Sequence, residues 1–239
     1  MKIVLIGYGK MGKTIERIAL ERGHSVILKI TSSNKDLMIP AELQKADVAI
    51  EFTVPEGAPE NVTKCLNAGI PVVCGTTGWN NQLDAAKALA ERNGVSFLQA
   101  SNFSIGVNIF FEINKTLAHL MDSHPEYSAS IEEVHHTQKK DAPSGTAITL
   151  AEQIISESQS LQQWKLAENA NTGDLPITAI REEGVPGTHT ISWNSKIDSI
   201  DIVHTAHGRD GFALGAVLAA EFIAGKKGVF TMRDVLGLK

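Results

Sequence analysis

The stretch "KIVLIGYGKMGKTIERIAL" sets three glycines, Gly7, Gly9 and Gly12, between a run of apolar and β-branched residues and a segment of helical period. A chain that passes from strand to helix through G-x-G-x-x-G has few folds open to it. The first glycine permits the tight turn, the second lets backbone approach a pyrophosphate, and the third lets helix and strand pack closely. The helix N-terminus then presents N–H donors and the positive end of its dipole to phosphate. Strand, glycine turn and helix follow in that order here, which favours dinucleotide binding over a merely structural turn.

The same alternation continues down the chain. "SVILKI", "ADVAIEF", "IPVVCG" and "VSFLQA" read as strands, and the segments between them have helical period, giving about five strands by residue 100 on a parallel sheet. The pattern then changes. "GVNIFFEINKTLAHLMD" (106–122) predicts one long helix and "YSASIEEVHH" (127–136) a strand of period 2. "GTHTISWNS" (187–195) and "IDSIDIVHTA" (197–206) alternate with few residues between them, which predicts antiparallel pairing with one wet face. The apolar helix "FALGAVLAAEFIAG" (212–225) needs a large partner and is expected to return to the first domain. The expected fold is α/β: an N-terminal Rossmann-like dinucleotide-binding domain, 1–104 plus 212–239, and a C-terminal α+β substrate-binding and oligomerisation domain, 105–211. "AENANTGDLP" (167–176) is the one stretch expected to be flexible.

A net charge of -5 argues against a nucleic-acid partner but allows a local cationic site. Cys65 and Cys74 sit in apolar runs, so core thiols in a reducing cytoplasm are expected. No signal-peptide pattern or membrane-length apolar run is seen.

Such a site is present in "EVHHTQKKDAPSGTA" (133–147). Strand alternation places Ile131, Glu133 and His135 on one face and Glu132, Val134 and His136 on the other, so both histidines serve one site only if the strand ends there. Lys139 and Lys140 follow on a loop, and Ser144 or Thr146 can cap the next helix, whose N-terminus is a carboxylate site. Together these groups suit a small dianion that must also receive a proton. Lys140 reads as a solvated loop residue. The adjacent histidines lack a metal-binding spacing and no obvious acidic third ligand is at hand, so no metal is expected.

Cofactor choice is read from "KITSSNK", which has no acid to meet a ribose 2′-OH before Asp36. Thr31, Ser32 and Lys35 could meet a 2′-phosphate, which favours NADPH over NADH with dual use open.

The sequence resembles the 4-hydroxy-tetrahydrodipicolinate reductase family, also called dihydrodipicolinate reductase, along nearly its whole length. The resemblance rests on "GYGKMG", "CGTTGW" (74–79), "ASNFSIGVN" (100–108), "HHTQKKDAPSGTA" (135–147) and "MRDVLGL". It implies His135 as proton donor or acceptor, Lys139 as proton donor, and His136, Ser144, Gly145 and Thr146 as the substrate-carboxylate site. The implied cofactor contacts are Gly7, Tyr8, Gly9, Lys10, Met11 and Gly12; Phe52 and Thr53; Gly75, Thr76 and Thr77; and Ala100, Ser101, Asn102 and Phe103. It also implies NAD(P)H as cofactor, a dicarboxylate substrate and a homotetramer. The sequence departs from the family pattern at the second strand's missing acid and at Thr188, where many members carry Glu. Two other functions remain open: another two-domain dehydrogenase acting on an amino or hydroxy acid, and a sensor that binds dinucleotide without turnover.

Overall fold

The computed structural model describes residues 1–238, in two compact units: residues 1–105 with the chain from 209 onward, and residues 106–208. In chain order the first elements are β1 (Lys2–Ile6), α1 (Lys10–Glu21), β2 (Ser25–Ile30), α2 (Pro40–Leu43), β3 (Val48–Glu51), α3 (Ala58–Asn67), β4 (Val72–Cys74), α4 (Leu83–Asn93) and β5 (Ser96–Gln99). They continue as α5 (Ile105–Met121), β6 (Ser128–His135), α6 (Gly145–Glu157), β7 (Gln163–Leu166), β8 (Asp174–Arg181), β9 (Gly187–Asn194), β10 (Ser199–Ala206), α7 (Asp210–Ile223), β11 (Gly228–Phe230) and α8 (Met232–Leu236).

The first unit is built on a parallel sheet of order β11-β5-β4-β3-β1-β2, a Rossmann-like arrangement. Alternate residues of its central strands feed two cores. Val4, Ile6, Ala49, Val72 and Phe97 join one apolar cluster with α3 and α4, and Ile3, Leu5, Val48, Ile50, Val73 and Leu98 join the other with α1 and α7. A sheet covered on both faces explains why these strands read as unbroken apolar runs. Helix α7 completes the second cluster through Ala213, Ala216, Val217, Ala220 and Ile223, the return that its apolar sequence called for. Its small residues allow close approach: a Cβ on Gly215 would stand 1.7 Å from the Phe103 carbonyl oxygen.

The second unit is a mixed sheet of order β10-β9-β6-β8-β7, antiparallel across β6, β9 and β10 and parallel across β6, β8 and β7. One face packs Ala129, Ile131, Leu175, Ile177, Ile191 and Trp193 against α5 and α6. The other carries Glu132, Thr178, Ile180, Thr190 and Val203, all exposed or half-buried.

Two expectations from the sequence need correction. The stretch 167–176 holds a 3-10 turn at Ala167–Asn169, a loop over 170–173 and the start of β8, which pairs with both β6 and β7. Strands β7, β8 and β11 were not anticipated. Cys65 and Cys74 are buried free thiols, with burial pushing Cys65 up to about 12.

Candidate active site

In the first unit, β1 ends and α1 begins across the glycine turn. Gly7 has a φ of 93°, and a Cβ there would strike the Phe52 carbonyl oxygen at 1.9 Å, so the turn lies directly on the end of β3. A Cβ on Gly12 would meet the Gly7 carbonyl oxygen at 2.3 Å, the close helix–strand packing expected of the third glycine. Gly9 differs: nothing lies within 4 Å of its Cβ position, and it is exposed at the start of α1. That open space above free N–H groups fits a pyrophosphate. Gly7, Tyr8, Gly9, Thr31, Ser32, Lys35, Phe52 and Thr53 all line one cavity of about 380 Å³. The Tyr8 hydroxyl is bonded to Glu16, and Lys29 pairs with Glu16 at 2.6 Å while its Nζ stands 4.6 Å from the ring centroid, which fixes the ring at the cavity wall.

Other expected cofactor residues have their side chains engaged within the unit. A Cβ on Gly75 would sit 2.1 Å from the Phe52 ring. Phe103 is buried against Phe52, with centroids 5.6 Å apart, and the Asn102 amide oxygen accepts from the Ser104 N–H. Thr76 is buried too, its hydroxyl donating to Glu51 at 2.6 Å and accepting from the Thr53 N–H at 2.8 Å. Lys10, Thr77 and Ser101 are exposed, whereas Met11 and Ala100 pack against the second core.

Glu51 was not anticipated. It is fully buried at the end of β3 and accepts from Thr53, from Asn61 at 3.2 Å, from Cys74 at 3.1 Å and from Thr76. The carboxylate thus joins the loops after β3 and β4, which carry five of the expected cofactor residues. Burial first, then the neighbouring carboxylate, drives the Cys74 thiol upward, so it stays protonated and inert.

In the second unit, β6 ends at His135, the condition under which both histidines can serve one site. His136 is half-buried, and its Nδ1 has no hydrogen-bond partner. Lys139 reaches Asp141 at 2.8 and 3.0 Å. Ser144 caps α6, its hydroxyl accepting from the Ala147 N–H at 3.2 Å. That hydroxyl also lies 3.2 Å from His189 Nε2, so Ser144 is buried and committed to the fold. Gly145 and Thr146, in the first turn of α6, are exposed and half-buried, and nothing lies within 4 Å of the Gly145 Cβ position.

Three residues here escaped the sequence reading as site members: Glu133, Arg181 and His189. Glu133 is fully buried, accepts from the Ser144 N–H at 3.1 and 3.0 Å on its two oxygens, and from Arg181 Nη2 at 3.1 Å. His135 Nδ1 and His189 Nε2 face it at 3.6 and 3.7 Å. The acidic third group that the sequence did not make obvious is therefore Glu133, which β6 alternation sets on the same face as His135. Glu133, His135 and His189 have the donor set of a cation site, but Arg181 and the Ser144 N–H already occupy the carboxylate, which favours a hydrogen-bonded network. Burial works to raise Glu133, yet the contacts from His189 and Ser144 and the nearby His135 outweigh it and hold the carboxyl at about 2. His135 is lowered to about 4 by burial, against the pull of Glu133 and with His189, Lys139 and Arg181 adding to the fall.

Comparison with known proteins agrees along the whole chain. Residues 1–103 match the family described as Dihydrodipicolinate reductase, N-terminus, and residues 106–236 match Dihydrodipicolinate reductase, C-terminus. A protein of Christiangramia forsetii named 4-hydroxy-tetrahydrodipicolinate reductase is 50% identical over 238 residues, 99% of this chain and 98% of its own. A namesake from Methanopyrus kandleri is 33% identical, covering 98% of this chain and 95% of its own. The solved dipicolinate-bound dihydrodipicolinate reductase from Paenisporosarcina sp. TG-14 has the same fold, with a TM-score of 0.77 at 23% identity over 97% of each chain. The glycine turn, the doubled histidine and both matched halves lead to one conclusion: the chain belongs to the dihydrodipicolinate reductase family.

Proposed function

We propose that the protein is a 4-hydroxy-tetrahydrodipicolinate reductase, an oxidoreductase that uses NAD(P)H to convert an unsaturated six-membered cyclic dicarboxylate to tetrahydrodipicolinate with loss of water. The observation that carries this reading is the gathering of His135, His136 and Lys139 at one strand end beside the N-terminus of α6. The Paenisporosarcina protein's bound dipicolinate, a cyclic dicarboxylate, supports the same substrate class.

In this reading the first unit binds cofactor and the second binds substrate. The first turn of α6, at Gly145 and Thr146, with His136, receives a carboxylate; Ser144 acts through its cap. A nicotinamide cofactor bound at the glycine turn supplies the hydride. Lys139 exchanges Asp141 for the substrate and stands as proton donor. His135, neutral in the free protein because burial lowers it to about 4, gains basicity when a dianion arrives, since an opposite charge favours the protonated ring. It can then give a proton to the reduced carbon skeleton and recover one from solvent. Thr31, Ser32 and Lys35 favour NADPH through its 2′-phosphate.

The exposed β-branched face of the second unit's sheet supports a homotetramer built by sheet packing. Two buried free thiols support a reducing, cytoplasmic setting. Among the described residues no helix is long and apolar enough to cross a membrane, and the net charge of -5 disfavours nucleic acid.

The test is oxidation of NADPH and of NADH by the purified protein, with substrate made in situ from pyruvate and aspartate semialdehyde by a synthase. Wild type should turn over, faster with NADPH, and His135→Gln and Lys139→Ala should each lose roughly a hundredfold or more in kcat. Cofactor binding without turnover would overturn the reductase reading in favour of a sensor.

A further inference from the structure

We infer that Glu133 is a positioning residue for catalysis: one buried carboxylate that fixes the tautomer of His135 and, through the Ser144 N–H, the start of α6. The inference rests on the reductase reading for its effect on turnover, but its structural half stands alone.

His135 Nδ1 is fully buried with no hydrogen-bond partner, and Glu133 Oε2 faces it at 3.6 Å. A carboxylate opposite one ring nitrogen places the proton on that nitrogen. Nε2, on the other ring edge, then carries the lone pair in the neutral ring and becomes the acidic N–H when the ring is protonated. Nε2 lies beside Gly187, where an added Cβ would approach it to 3.1 Å, so the working edge is clear only because residue 187 has no side chain. Charging the ring draws this 3.6 Å contact closer, because charge-assisted hydrogen bonds are the shorter ones.

The same carboxylate accepts the Ser144 N–H on both oxygens. This holds the capping residue, and with it the first turn of α6, in place. Arg181 Nη2 bonds Glu133 at 3.1 Å and the Asp141 carbonyl oxygen at 2.6 Å, tying the Lys139–Pro143 loop to the same anchor. His189 closes the far side, its ring edge-on to His135 with centroids 5.0 Å apart. The charged and titratable groups facing His135 are therefore Glu133, His189, Lys139 and Arg181. Only Glu133 favours its protonated form.

The arrangement is tested by ¹⁵N NMR of the imidazole nitrogens of histidine-labelled protein, without substrate, alongside kinetics. Wild-type His135 should be the Nδ1–H tautomer at neutral pH; an Nε2–H tautomer in wild type overturns the inference whatever the variants do. In Glu133→Gln the Nδ1–H preference should be lost, kcat should fall roughly tenfold to a hundredfold, and the KM for substrate should rise. Because His135 must be protonated to donate, and Glu133 alone favours that form, the alkaline limb of the pH–rate profile should move to lower pH in the variant. The Kd for NADPH should stay within twofold, marking a folded protein; Glu133→Asp, which keeps the charge, should recover part of kcat. An unchanged tautomer and pH profile in Glu133→Gln, with wild-type turnover intact, would overturn the positioning role and leave the reductase reading standing. Absent wild-type turnover with the expected tautomers would leave the His135–Glu133 contact standing and remove the reading.

Discussion

At the residue scale, His135 and Glu133 give folding stability a pH dependence whose sign follows from their shifts. His135 falls from an ordinary 6.5 to about 4 on burial, so on acidification the unfolded chain takes up that proton first. Its share of stability is intact above 6.5 and is lost as pH drops toward 4. Glu133 is held down from 4.5 to about 2, so its contribution is present above 4.5 and is lost as pH falls through 2. Urea midpoints taken from about pH 7.5 down to about pH 5 should therefore drop in wild type, and the drop should shrink in His135→Gln. Equal drops in both proteins would refute the assignment. His135 and Lys139 were visible in the sequence because the doubled histidine, lysines and Ser-Gly-Thr lie within a dozen residues. Arg181 and His189 were not, since 46 and 54 residues separate them from His135 and only sheet pairing brings them back. Glu133 was placed on the correct face, but nothing local marked it as buried.

At the element scale, the βαβ segments were legible because parallel strands covered on both faces carry continuous apolar runs bounded by glycine. Strand β8 was hidden: it follows "NANTG" and contains Pro176, both loop signals, and it is held by partners on β6 and β7. Strands β7 and β11 have only four and three residues, too few to show a period. The ends of β3 and β4 illustrate a different gap. Composition does not disclose that Glu51 ties their loops together, because its donors come from three separate segments. Glu51→Gln would set an amide N–H against Thr53, Asn61, Thr76 and Cys74. It should cost about 2 kcal/mol in stability and weaken NADPH binding about tenfold with kcat at saturation nearly unchanged. Calorimetry and fluorescence titration check both; an unchanged Kd would show that the loops keep their places without it.

At the scale of the whole molecule, the proposed homotetramer is built on the open sheet face of the second unit. Thr190 lies at its centre, paired across β6 with Glu132 and across β10 with Val203. A Thr190→Arg variant should break a tetramer into smaller species in light scattering, because a buried unpaired cation costs several kcal/mol at an interface. A mass unchanged from wild type would place the contact elsewhere.

The first unit closes its sheet with β11 and covers one face with α7, both contributed by the last part of the chain. During synthesis, residues 1–105 therefore emerge with this face covered by α1 but still lacking α7, which follows only after more than a hundred further residues. Residues 106–208 are continuous and can fold while the ribosome is still at work. A chain released at residue 208 should expose the apolar surface that α7 covers and aggregate, while the 106–208 segment expressed by itself should remain dispersed. On the ribosome, the cofactor-binding unit begins first and finishes last.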